Sequence, residues 1–304
     1  MLSDPSMYRP GEAWHEVPPG LPLVALLSGY RDAGQTVRQG IEALLSQDEG
    51  RLVASFDADL LLDYRARRPV VKFEENRVTE YRVPRLDLRL LNDSLGQPFL
   101  LLSGFEPDFR WDQFTGDLLR LHAHFAVSSM TWAHSIPMPV PHTRPARLAV
   151  TGNRDEFIEN NSVWQTNVEA PAHALHELEF ELTASEEPVV DLVVLVPHYL
   201  ADSSVPAGAM KLLEGIGSAA GVMIETEHLR ERDRVFRTDV DAQISENGEM
   251  QRLIQALETQ YDGVVRGTPR ENPFADADGE MPSADDIATE LERYLSARRK
   301  PNEQ

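Results

Sequence analysis

Apolar residues along this chain recur with two different periods, and the switches between them mark out alternating strands and helices. Residues 21–28 are an unbroken apolar run closed by Gly29, the pattern of a strand buried on both faces. The turn Gly29-Tyr30-Arg31-Asp32-Ala33-Gly34 follows. Val37, Ile41, Leu44 and Leu45 then recur at helical spacing, which predicts an amphipathic helix over 35–45. Residues 51–56 fit a second short strand. Leu86, Leu88 and Leu90 alternate with Asp87 and Arg89, and a turn at 92–96 leads into 99–102, which predicts a hairpin. Phe114, Leu118, Leu121 and Phe125 mark a helix that starts near Asp108 or Asp112. Strands are predicted at 129–135 and 147–152, on either side of a proline-rich loop at 136–145. Residues 189–196 form the most apolar strand, closed by Pro197, and Pro206 then opens a helix through Met210, Leu213 and Ile216.

Beyond residue 225 the pattern becomes charged and wholly helical. One helix is predicted over 226–240. Asn247 caps a second, whose Met250, Leu253, Ile254, Leu257 and Tyr261 form an apolar stripe. Residues 270–281 read as a linker, and Ser283 caps a last helix carrying Ile287, Leu291, Tyr294 and Leu295. The expected division is an α/β core over 1–225, with an irregular N-terminal segment, and a helical segment over 226–304. That segment packs on the core or on a neighbouring subunit, and the stripe at 250–261 offers a surface for self-association. Apolar strands alternating with helices predict a mainly parallel sheet, with some antiparallel pairing, covered on both faces.

Charge narrows the partners. The formal net charge is −21 over 304 residues, and there is no basic block to release counterions from a nucleic acid or to meet an anionic membrane. The chain has no cysteine, which excludes disulfides, thiolate metal sites and cysteine nucleophiles. Residues 1–20 lack a basic start followed by an apolar run, and no apolar stretch is long enough to span a bilayer. The cytoplasm is the expected compartment.

The densest chemistry lies at Pro141-His142-Thr143-Arg144-Pro145, where Arg144 and Thr143 could hold an anion or instead bond to backbone carbonyls of their own loop. Pro197-His198-Tyr199 closes another core strand in the same way, and the two loops could place His142 and His198 together. Asp32 follows the first strand and reads either as a pocket acid or as a helix cap. Glu106, in Gly104-Phe105-Glu106-Pro107, reads either as a pocket acid or as part of a turn. His173-x-x-His176 lacks the order of a zinc-binding helix, and no serine or carboxylate completes a triad. The candidate pocket is therefore Asp32, Glu106, His142, Thr143, Arg144, His198 and Tyr199, with no catalytic residue, metal or cofactor assigned.

Several segments in this order resemble the proteasome-assembly-chaperone family in its bacterial, actinobacterial-type branch. They are the turn at 29–34, Phe56-Asp57-Ala58-Asp59, Asp63-Tyr64-Arg65-Ala66-Arg67-Arg68-Pro69, Leu102-Ser103-Gly104-Phe105-Glu106-Pro107, Pro141-His142-Thr143-Arg144-Pro145 and Pro197-His198-Tyr199-Leu200-Ala201. The resemblance implies a three-layer α/β/α fold with a mixed, mainly parallel sheet, similar to nucleoside phosphorylases and peptidyl-tRNA hydrolases. It also implies a non-enzymatic binding or assembly factor with protein partners, forming a homo-oligomer with a trimer favoured. A small-molecule-binding protein, or a hydrolase- or phosphorylase-like enzyme, using the strand-end pocket is the alternative. Members that dock on proteasome rings end in a hydrophobic–tyrosine–any-residue tail. Here the sequence ends Pro301-Asn302-Glu303-Gln304, a departure that argues against that docking route.

Overall fold

The structure is a computed structural model that describes residues 6–29, 31–164 and 167–267; the predicted linker at 270–281 and the helix expected from Ser283 lie outside them. The strands are β1 (Tyr8–Pro10), β2 (Pro22–Ser28), β3 (Arg51–Phe56), β4 (Val70–Glu74), β5 (Arg77–Arg82), β6 (Leu86–Asn92), β7 (Pro98–Phe105), β8 (Ser129–Met138), β9 (Arg147–Gly152) and β10 (Val189–Pro197). The helices are α1 (Thr36–Gln47), α2 (Ala58–Leu61), α3 (Trp111–His124), α4 (Asp155–Asn161), α5 (Ala174–Ala184), α6 (Pro206–Ala220), α7 (Glu227–Ser245) and α8 (Gly248–Gly267).

Eight strands form one sheet in the order β1-β3-β6-β7-β2-β8-β10-β9. The middle four, β7, β2, β8 and β10, pair in parallel. β3 shares their direction, whereas β1, β6 and β9 oppose it, so the sheet is mixed and mainly parallel. The predicted hairpin is present as β6–β7, running from Leu86 opposite Gly104 to Asn92 opposite Pro98.

Alternation along β2 sends its side chains to two cores. Leu23, Ala25 and Leu27 pack with Phe114, Leu118 and Leu121 of α3 and with Leu175, Leu178 and Leu182 of α5. Val24 and Leu26 pack with Val37 and Leu44 of α1 and with Ala209, Leu212, Leu213 and Ile216 of α6. The result is three layers, α/β/α. A strand buried on both faces needs apolar residues at both parities, which is why residues 21–28 read as a continuous run.

α7 packs outside α6 and α8 against α7. The stripe on α8 turns inward: Leu253, Ile254 and Leu257 are buried, and Tyr261 packs with Met138, Val140, Ala149 and Leu195. The stripe therefore does not offer a free surface for self-association. Its apolar area is spent on the chain's own core.

β4 and β5 form a separate two-stranded sheet whose residues are all exposed. A two-residue turn joins them, with Glu75 and Asn76 at φ of 46° and 63°, the left-handed geometry that suits a tight hairpin. Its sequence lacks the Asn-Gly or Asp-Gly signal that usually marks such a turn.

Candidate functional site

The strand-end residues are held by the chain's own elements. Asp32 bridges to Ser135 and accepts from the backbone N–H groups of Val37 (2.8 Å) and Arg38 (3.1 Å). These are orphan donors in the first turn of α1, so the carboxylate caps that helix. The Ser135 hydroxyl donates to the same carboxylate at 3.1 Å.

Glu106 lies at the end of β7, where its Oε1 accepts from the N–H of Ala174 at 2.9 Å, in the first turn of α5. Burial pushes its carboxyl up from the ordinary value. Arg67 reaches the same strand ends, donating to the carbonyls of Ser28 (3.2 Å) and Glu106 (2.7 Å) and pairing with Asp108. It ties the base of the β4–β5 arm to the sheet.

The loop after β8 holds the C-terminal helices. The Tyr199 hydroxyl accepts from the backbone N–H of His142 (2.9 Å) and donates to its Nδ1 (2.7 Å), while His142 Nε2 meets Asp241 of α7 at 3.1 Å. Arg144 forms a two-pronged pair with Asp262, both arms 2.9 Å, and reaches Glu258 at 3.1 Å. Thr143 donates to Glu258 at 2.5 Å. The partners of Arg144 are thus carboxylates of α8 rather than carbonyls of its own loop. A cavity of about 30 Å³, room for about one water, lies beneath this latch, lined in part by His142, Arg147, Asp233 and Arg237.

His142 and His198 do not bond to each other. Each packs edge-on against Tyr199, at centroid distances of 5.8 and 5.4 Å. Burial lowers the His198 imidazole and raises the Tyr199 phenol to about 12. The structure therefore joins His142, Thr143, Arg144 and Tyr199 in one latch with His198 alongside, and places Asp32 and Glu106 at two separate helix caps.

A second cluster lies between the sheet and α5. Trp132, His134 and His173 stack with interplanar angles of 20° and 29° and centroids 5.2 Å apart. His176 meets Trp132 edge-on at 4.7 Å. Asp191 of β10, 1% exposed, accepts from His134 Nδ1 at 3.2 Å. Burial by itself lowers the His134 imidazole, but the Asp191 charge and hydrogen bond outweigh it and hold it above the ordinary value. Glu179 accepts from Trp132 Nε1 (2.8 Å) and Thr151 (3.0 Å), and burial raises its carboxyl to about 7.

His173 and His176 are α5's own capping box. His173 Nδ1 accepts from the N–H of Leu175 (3.0 Å) and His176 Nδ1 from the N–H of His173 (2.8 Å). Burial drives His173 down to about 3 and also lowers His176. The His173-x-x-His176 spacing is a cap, and among the described residues no group of three His, Asp or Glu is placed to hold a metal. The sequence signal for this cluster is an acid inside the most apolar strand, Val189-Val190-Asp191-Leu192-Val193-Val194. A buried carboxylate requires a partner.

Among the described residues no helix is long and apolar enough to cross a membrane. A comparison with curated proteins finds no match. The sequence profile of the PAC2 family matches residues 26–244. A protein of unknown function from Corynebacterium glutamicum is 35% identical with a TM-score of 0.83, over 86% of this chain and 98% of that one. One of unknown function from Mycobacterium tuberculosis is 33% identical with a TM-score of 0.81, over 87% and 92%. A Mycobacterium tuberculosis proteasome-assembly chaperone homologue shares the fold at 20% identity and a TM-score of 0.70, over 77% and 100%.

Proposed function

The chain belongs to the PAC2 family, and from that premise we propose that it is a non-enzymatic protein-binding factor that assembles with copies of itself through the β4–β5 arm. The carrying observation is the arm's surface. Val70, Val71, Phe73, Val78 and Tyr81 are between 42% and 66% exposed on a two-stranded sheet that no other strand among the described residues extends. An isolated two-stranded hairpin is marginal in water, and an apolar patch of this kind marks an interaction site.

Charge selects the occupant. Residues 65–85 hold seven basic and three acidic side chains, a net +4, on a chain whose formal charge is −21. The surface complementary to this arm is an acidic one, and the body of a second copy supplies it. Arm on body is a head-to-tail contact, the kind that makes a ring when the rotation between protomers closes. A trimer is the state the family resemblance favours, with the cytoplasm as its compartment. The Mycobacterium tuberculosis homologue described as a proteasome-assembly chaperone supports an assembly role. So does the use of the strand-end polar groups as helix caps and as the α7–α8 latch, where they brace the chain itself.

Native mass spectrometry at micromolar concentration tests this. The wild type is expected at three times 34.1 kDa. F73E/Y81E is expected at the monomer mass with its circular dichroism unchanged, because both side chains are exposed in the protomer. A monomeric wild type, or a variant that keeps the wild-type mass, refutes the proposal.

A further inference from the structure

The ladder between β2 and β8 ends at Ala25 opposite Trp132, although both strands continue, to Ser28 and to Met138. Among the described residues the chain next meets β8 at the bridge between Asp32 and Ser135. The strands therefore part at their carboxyl ends, where open α/β sheets hold ligands. The gap is occupied by the start of α5. His173, 1% exposed, lies against the backbone of Leu27, 3.8 Å from Glu106 and stacked with Trp132.

What keeps this turn in place depends on protonation. An imidazole Nδ1 accepts a hydrogen bond only while it carries no proton, and both members of the capping box use Nδ1 as acceptor. We propose that the N-terminal turn of α5 is a proton-released clasp: His173 and His176 hold it in the β2–β8 gap while neutral, and acidification frees it and opens the gap.

Every packed element limits where a second proton can go. β8 presents His134, whose rings lie 6.4 Å from His173 and 5.8 Å from His176. β10 presents Asp191, already paired with His134, and the end of β7 presents Glu106, with Arg67 and Asp108 behind it. α5 itself presents Glu179, bonded to Trp132 and Thr151, while Glu177 faces Asp112 and Thr115 of α3. β2 contributes the Leu27 backbone. Protonating either capping imidazole removes an acceptor and places positive charge beside His134.

Both capping imidazoles are held below their ordinary value, so their stabilisation is complete above about 6.5 and declines as pH falls towards the folded-state value. One unit below 6.5, the opening constant of the turn rises about tenfold through His173, and His176 adds in the same direction.

Hydrogen exchange of peptides covering residues 173–180, corrected for intrinsic chemistry, reads this directly. Between pH 7.5 and 5.5 the expected loss of protection is about tenfold from His173 and larger as His176 also titrates, with peptides of β8 and α3 unchanged. H173N/H176N keeps acceptors at both positions but does not titrate, so its protection is expected to be flat over this range. E179Q is expected to retain the wild-type response. Wild-type protection that is flat with pH, an equal loss in β8 and α3, or a response abolished by E179Q each overturns the clasp. Should H173N/H176N fail to fold, the wild-type series and E179Q decide alone.

Discussion

Replacing Asp191 by Asn tests whether the His134–Asp191 pair is an ion pair in the folded protein. The two side chains are 8% and 1% exposed and lie 3.2 Å apart. Removing one partner of a buried pair costs about 3–5 kcal/mol when the other stays charged. His134 can shed its proton instead, which limits the loss to that of a charged hydrogen bond with some residual mismatch, about 2–3 kcal/mol. For a chain of this size, each kcal/mol moves Tm by about 2–4 °C, so the expected fall is about 5–10 °C.

The pH dependence carries the sign. His134 is held above its ordinary value, so its stabilisation is complete below about 6.5 and drains away as pH rises through the folded-state value. Glu179 acts in the same sense. Burial and the Asp191 charge raise it to about 7, and stabilisation present below its ordinary value is lost as pH climbs past that point. Removing Asp191 relieves Glu179 and so helps the variant most at alkaline pH. The stability gap between wild type and D191N is therefore expected to be widest near pH 6 and narrower at pH 8.5, measured as urea midpoints at the two values. In the variant, burial acts on His134 against only the Glu179 and Glu106 charges, and its NMR titration is expected below the wild-type value. A gap that widens with pH, or a His134 that still titrates high, refutes the ion pair.

Two further variants probe the frame around the site. Gly104 sits at φ 144°, and a Cβ there would run into the carbonyl oxygen of Arg85, the residue before the paired strand β6. Gly104→Ala is expected to cost about 2–4 kcal/mol in urea unfolding, and an unchanged midpoint would show that the strands can separate to admit it. Arg144→Ala cuts the latch to Asp262 and Glu258. It is expected to speed proteolysis between α7 and α8 while the sheet stays protected, and an unchanged cleavage rate there would assign the hold on α8 to Leu253, Ile254 and Leu257 alone.

Periodicity announced most of the fold because it is local. The continuous run at 21–28, the alternation at Leu86, Leu88 and Leu90, and the helical spacing of Val37, Ile41 and Leu44 each follow from which faces an element buries. β4 and β5 escaped that reading because an arm with no buried face has no side to favour and its turn lacks glycine. Capping roles were legible for Asp32 and for Asn247, whose Oδ1 accepts from Glu249 and Met250, since a cap acts over a few residues.

The partners of Arg144 lie 114 and 118 residues away, and no spacing rule connects them. His134, Asp191, His173 and Glu179 likewise come from two strands and a helix, and each in isolation is an ordinary polar residue. The motif at 141–145 was conspicuous from its composition, but its purpose, to hold α7 and α8, required the helices to be in place. By itself the sequence determined the α/β alternation, the family and the local caps, because these depend on neighbours along the chain. Only the tertiary structure decided which polar groups share a proton and which are latches, because burial and charge pairing depend on neighbours in space.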